Sequence, residues 1–238
     1  MFGRELMQIQ NKILILNRRQ FLKTLAATAF LPPILWARAG ERKLVLYLQP
    51  MGPKLSDEAA AMVKKALEEF YPVEVRELKR LLLPEEAYYP PRKRYRADKL
   101  LDFLEKRIPG DAFRVLGLTG EDISCTKGEF FDWGIVGYAR INGPASVISS
   151  FRCKRGARND KHANIRFGKV AVHEVGHALG LEHCPTWGCL MEDAQGRVST
   201  FDREYDICQR CRMLLKSWGL PIPTHPEIPW PRPEIKLP

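Results

Sequence analysis

Histidine is scarce, internal repeats are absent and no apolar run is long, and each shortage narrows the reading. The longest uncharged stretch, Thr24 to Ala37, has fourteen residues and contains Pro32 and Pro33. That is short for a spanning helix, which needs about 20 apolar residues. Without a repeat of roughly 20–50 residues there is no basis for a solenoid or propeller. Surplus charge is also missing where it would matter. The net charge is +10, but residues 1–39 hold six Lys/Arg and one Glu, leaving 32 basic and 27 acidic groups for the rest. So even a balance argues against a nucleic-acid partner.

What remains is globular. The 238 residues, 45% hydrophobic and 28% charged, suffice for one domain with a buried core. Three sections are expected: a leader over 1–39, a domain over 40–220 and a proline-rich tail over 221–238. The leader contains Asn17-Arg18-Arg19-Gln20-Phe21-Leu22-Lys23, close to a twin-arginine export signal. The uncharged stretch follows, and then Ala37-Arg38-Ala39, a small-x-small cleavage site. Basic, apolar and cleavage regions in that order are what an export leader needs. The chain is therefore expected in the periplasm or outside the cell, meeting a membrane only in transit. The alternative is an uncleaved leader that anchors it.

Past the leader, Arg42 to Leu48 reads as a strand bounded by Pro50 and Gly52. Ser56 can cap a helix with Asp57 and Glu58 in its first turn. Ala59, Met62, Val63, Ala66, Leu67 and Phe70 recur at helical spacing along it. Val73 to Leu78 alternates as a second strand, so a parallel pair with a crossover helix is expected. Pro84 to Pro91 reads as a loop, and the basic run Arg92 to Arg96 as a solvated face. A helix over Ala97–Arg107 turns Leu100, Leu101 and Leu104 inward. Further strands are expected at Phe113–Leu118, Phe130–Tyr138 and Ala145–Phe151. Seven prolines in the last 18 residues make an extended tail, with His225 on the surface.

Three of the five histidines fall within eleven positions, in His173-Glu174-Val175-Gly176-His177-Ala178-Leu179-Gly180-Leu181-Glu182-His183-Cys184. Four residues apart on a helix, His173 and His177 share a face and can grip one metal ion. Glu174 stands where such sites place a general base. Gly180 can end the helix in a left-handed turn that swings His183 back as a third ligand. Three imidazoles leave one zinc position open, the mark of a catalytic site. A bare H-E-x-x-H arises by chance, but its extension to His183 belongs to the metzincin pattern, with Met191 at the Met-turn beneath the metal.

Cys184, Cys189, Cys208 and Cys211 form a C-x4-C and a C-x-x-C, spacings suited to a closed four-thiolate zinc. Two disulfides are the competing reading in an exported chain. For Cys125 and Cys153, buried thiols and a disulfide both stay open.

The run from His173 through Cys184, Cys189 and Met191 to Cys208 and Cys211 resembles the archaemetzincins, metzincin-like zinc peptidases. A weaker likeness at Tyr88–Arg92 and Ser146–Arg152 extends it over residues 42–220. The resemblance implies an α/β fold: a compact mixed sheet with about three main helices, one carrying the histidine motif. It also implies a catalytic zinc, a structural zinc and an antiparallel edge strand above the cleft. Ala145–Phe151 is the candidate, with Ser146, Val147, Ile148 and Ser149 holding an extended peptide. The expected activity is peptide-bond hydrolysis with Glu174 as base. A zinc-loaded peptide-binding protein without turnover is the alternative. Archaemetzincins are typically intracellular, so the leader departs from the pattern.

Overall fold

Leu44–Met51 forms the strand β1, buried from Val45 onward, as expected of a strand covered on both faces. Its alternation serves two cores: Leu46 and Leu48 enter one apolar cluster, Val45 and Tyr47 the other. Ser56 then caps α1 (Asp57–Phe70), its hydroxyl accepting the Ala59 N–H at 3.2 Å. The chain returns as β2 (Val73–Glu77), parallel to β1 with Leu44 opposite Val73. The expected crossover unit is present. β1 nevertheless runs through Pro50 instead of stopping there. The Pro50 carbonyl accepts from Leu81 N–H on the side where β2 has already ended, so its missing N–H removes no ladder bond.

The computed structural model describes residues 44–233; the leader over 1–39, residues 40–43 and residues 234–238 lie outside the described residues. Among the described residues no helix is long and apolar enough to cross a membrane.

Beyond β2 the chain departs from the expected loop. Tyr88–Tyr89 (β3) pairs antiparallel with Arg94–Arg96 (β4). Then come α2 (Ala97–Glu105), β5 (Ala112–Thr119), β6 (Ile123–Lys127) and β7 (Phe130–Ile135). Next are β8 (Gly137–Ala139), β9 (Ala145–Ser149), α3 (Asp160–Ala178) and α4 (Gln209–Ser217). There are two sheets rather than one: β2-β1-β5-β9-β8 and β3-β4-β6-β7. In the first, only β8 is antiparallel. α1 and α3 pack on one face of that sheet, and α2 covers the other through Leu100, Leu101 and Leu104.

Two expectations are corrected. The basic run is a solvated face only at Arg92 and Lys93, which are exposed. Arg94 pairs with Asp122 at 2.8 Å and Asp132 at 2.7 Å, and both carboxylates are largely buried. Arg96 is buried with its guanidinium 4.3 Å from the centroid of the Phe131 ring. These cations hold the second sheet together. Nor is Ala145–Phe151 an edge. β9 lies between β5 and β8 with both ladders occupied, and Ser146, Val147, Ile148 and Ser149 are buried. The edge is β8.

The tail lies on the surface of the domain, His225 exposed, and enters the core at Ile222 and at Trp230. Trp230 is buried, stacked on Phe70 at 5.4 Å, and its indole N–H donates to the Tyr205 carbonyl at 2.9 Å. Trp230→Ala is expected to destabilise the protein by about 3 kcal/mol, the lower end for a buried tryptophan. A lower denaturation midpoint at unchanged slope would register it.

Candidate metal centres

Asn159 starts α3, its side chain accepting the His162 N–H at 2.9 Å. The last helical turns are wholly buried. Gly180 ends the helix at φ +104°. Its N–H donates to the His177 carbonyl and that of Leu181 to Gly176, each at 2.9 Å, the paired bonds of a Schellman ending. The turn returns His183, whose ring centroid lies 5.4 Å from His173 and 4.8 Å from His177. Donor atoms of the three imidazoles all fall within 4.8 Å of one another.

The ring orientations suit a cation. Nδ1 of His173 meets the Leu190 carbonyl and Nδ1 of His177 the Leu181 carbonyl, both at 2.7 Å. Carbonyls only accept, so Nδ1 is assigned the hydrogen and Nε2 keeps its lone pair. The two Nε2 atoms stand 2.9 Å apart; facing lone pairs at that distance repel unless a cation lies between them. Burial pushes His173 down to about 3 and lowers His177 as well, so both stay neutral, the form that ligates. His183 is exposed and opens the cluster to the cleft.

Glu174 is buried beside the cluster, and burial pushes its carboxyl up to about 8. The edge strand β8 passes against it: a Cβ at Gly137 would come 2.4 Å from Glu174 Oε1. Met191 is fully buried against α3, and a Cβ at Gly176 would meet its sulfur at 2.4 Å. Met191 and Gly180 thus stand where the motif places them.

The four cysteines Cys184, Cys189, Cys208 and Cys211 converge separately, also within 4.8 Å. All six cysteines are unpaired, Cys125 and Cys153 included. Backbone N–H groups point at the sulfurs: Thr186 to Cys184 at 3.4 Å, Met191 and Cys208 to Cys189 at 3.5 and 3.3 Å. Such donors favour thiolates. The Cys211 thiol and these amides bring Cys189 down to about 7. Four soft donors without an open position fit a structural zinc.

Several contributors were not singled out in the sequence. Arg114 Nε donates to the Ala178 carbonyl at 3.0 Å and Asn142 N–H to His177 at 2.9 Å, satisfying the end of α3. Lys169, one turn before His173, ties down the following loop through the carbonyls of Phe201 and Glu204 at 2.7 and 2.6 Å. Two hollows flank the histidines. One, of about 180 Å³, is bordered by Trp133–Gly137 and Ala194–Val198; the other, of about 540 Å³, by Gly137–Ala139 and Glu182. Ser146 to Ser149 border neither.

Residues 56–217 match the model of peptidase family M54. The chain belongs to that family. Archaemetzincin of Methanopyrus kandleri is 36% identical over 139 residues, 58% of this chain and 75% of the relative. The crystal structure of an archaemetzincin from that organism superposes with a TM-score of 0.61 at 31% identity, covering 74% of this chain and 94% of its own. The archaemetzincin of Archaeoglobus fulgidus, crystallised with malonate, gives 0.59 at 28% identity, covering 71% and 98%. As an M54 member the chain is a zinc metallopeptidase with peptide or protein substrates.

The Gly137 contact generates a prediction. Gly137→Ala should displace Glu174 and lower peptidase activity about 100-fold, the scale of a 1 Å misplacement. Metal content should be unchanged by elemental analysis, since the three atoms nearest the added methyl all belong to Glu174.

Proposed function

We propose that this M54 peptidase hydrolyses peptide bonds with Glu174 as general base at a zinc held by His173, His177 and His183. We also propose that Cys184, Cys189, Cys208 and Cys211 hold a second, structural zinc. The observation that carries the reading is a buried carboxylate on the same helical turn as His173 and His177, with His183 converging on them from beyond the helix end and open to the cleft.

Zinc with three imidazoles keeps an open position at which it acidifies water and polarises a carbonyl. The chain supplies the rest. Glu174 accepts the proton of the attacking water and passes it to the leaving amine. Carbonyls of Leu190 and Leu181 fix the rings of His173 and His177. β8 offers a free backbone edge directly over Glu174, where an extended peptide can be held by strand addition. This gives Gly137–Ala139 the role that Ala145–Phe151 cannot fill.

The test measures zinc per chain and compares peptide cleavage by wild type and Glu174→Ala. Two zincs and a loss of about 10³-fold in kcat/KM are expected. Two zincs with no Glu174-dependent cleavage would favour a peptide-binding protein, and fewer than two in a folded, loaded sample would remove the second site. A base works only when ionised, so kcat/KM should rise with pH. The burial of Glu174, against the attraction of a bound cation, places that limb between 4.5 and 8.

Residues 1–39 we read as a twin-arginine leader, with residues 40–220 as the exported domain and 221–238 as its tail. That route carries folded proteins, so both metals would be loaded before export. N-terminal sequencing of exported protein should begin near Gly40; an intact leader would favour the membrane-anchored alternative.

A further inference from the structure

The smaller hollow beside the histidines has an uneven distribution of charge. Its inner wall is apolar, with Ile135 partly and Phe201 fully buried. Four cations border it: Lys127, Arg152, Arg155 and Arg197. Arg152 is already committed, holding Asp122 at 2.6 and 3.0 Å. Lys127, Arg155 and Arg197 are exposed, and none has a carboxylate partner among the described residues. Apart from Glu174, the one acid on the border is Asp193, which accepts the Gln195 N–H at 2.8 Å. The three cations come from the end of β6 and two separate loops, yet they meet at one opening. An apolar interior under a cationic rim fits a short aliphatic stem ending in a carboxylate.

Chain direction says which part of a peptide would enter. The hollow borders Trp133–Gly137, the N-terminal approach to β8, whereas the larger one borders its C-terminal side. A strand added antiparallel to β8 therefore runs its C-terminal half into the cationic hollow.

We infer that this hollow is a carboxylate-selecting subsite for the residue that follows the scissile bond, with Lys127, Arg155 and Arg197 as its specificity-determining groups. The carboxylate is a Glu or Asp side chain, or the C-terminal carboxylate of a short substrate. The inference rests on the peptidase reading above.

The experiment has two arms on the zinc-loaded chain. In the first, cleavage of a peptide library is profiled for wild type and for the Lys127→Ala/Arg155→Ala/Arg197→Ala variant. Glu or Asp after the cleaved bond should be preferred over Gln or Asn, and the variant should lose about tenfold in kcat/KM for acidic peptides alone. Free-acid and C-terminally amidated versions of each peptide separate the two sources: a preference abolished by amidation assigns the terminal carboxylate. Raising the salt should weaken the preference. In the second arm, Glu174→Gln protein is titrated calorimetrically with matched Glu and Gln peptides, which reads the subsite without turnover. Cleavage with no acidic preference overturns the inference, as does a preference the triple variant keeps. Absence of any cleavage counts against the peptidase reading instead. The calorimetric arm then decides the subsite by itself, tighter binding of the Glu peptide supporting it and equal binding overturning it.

Discussion

The hydrogen bond from His173 Nδ1 to the Leu190 carbonyl joins the two halves of the site. Leu190 stands between Cys189 and Met191, so the group orienting the first histidine belongs to the cysteine loop. The same loop places Met191 against Gly176, and the Cys184 N–H returns to the Met191 carbonyl at 2.7 Å. Little regular structure supports it. Between Leu181 and Cys208 it has the short 3-10 turn Val198–Asp202 and the isolated bridges Cys184–Glu192 and Cys189–Asp206. Ordering so long a segment costs roughly 1–2 kcal/mol of backbone entropy per residue. The structural zinc proposed for the four cysteines would close its two ends and compensate for that cost. On that proposal the rigidity of the histidine site would depend on chemistry at the cysteine site.

A second constraint acts from the opposite side of the cleft. Asp122 is shared by Arg94 of the second sheet and Arg152 of the segment after β9. One buried carboxylate thereby connects the small sheet to the border of the cleft. Buried ion pairs of this kind contribute little net stability, because desolvation offsets attraction, but removing one partner strands the others. Here their value is positional. They hold β6 and β7, which lead into β8, beside the histidines.

Much of this was legible in the sequence because the responsible physics is local. The helix at Ser56 and the turn at Gly180 each depend on neighbours within a few positions, and the parallel pair follows from the strand-helix-strand order, which leaves it a single handedness in which to close. The convergence of His173, His177 and His183, and of the four cysteines, also followed, since helical spacing and metal-ligand spacing are short-range rules. The second sheet was not legible. β3 has two residues, and β6 reads Ile-Ser-Cys-Thr-Lys, too short and polar to alternate visibly. Its stability comes from Arg94, Asp122 and Asp132, partners up to 38 positions apart, which no window of sequence brings together. For the same reason the inward turn of Arg94 and Arg96 is hidden in a run that reads as solvated.

The exchange of β9 for β8 as the substrate-facing edge has a more general cause. Ala145–Ser149 carries the stronger apolar signal, and apolar strength measures burial on both faces. A strand with that signal belongs inside a sheet, where its backbone groups are already paired and cannot receive a peptide. Edges persist in soluble proteins by being short and weakly apolar. Gly137–Ala139 is only three residues long and begins with a glycine whose reason is invisible locally. That reason is Glu174, 37 positions later, whose carboxylate occupies the space a side chain at Gly137 would need. A backbone edge free to pair with a substrate is therefore a segment with a faint apolar signal, and the glycine that opens it can be understood only once the base beneath it is placed.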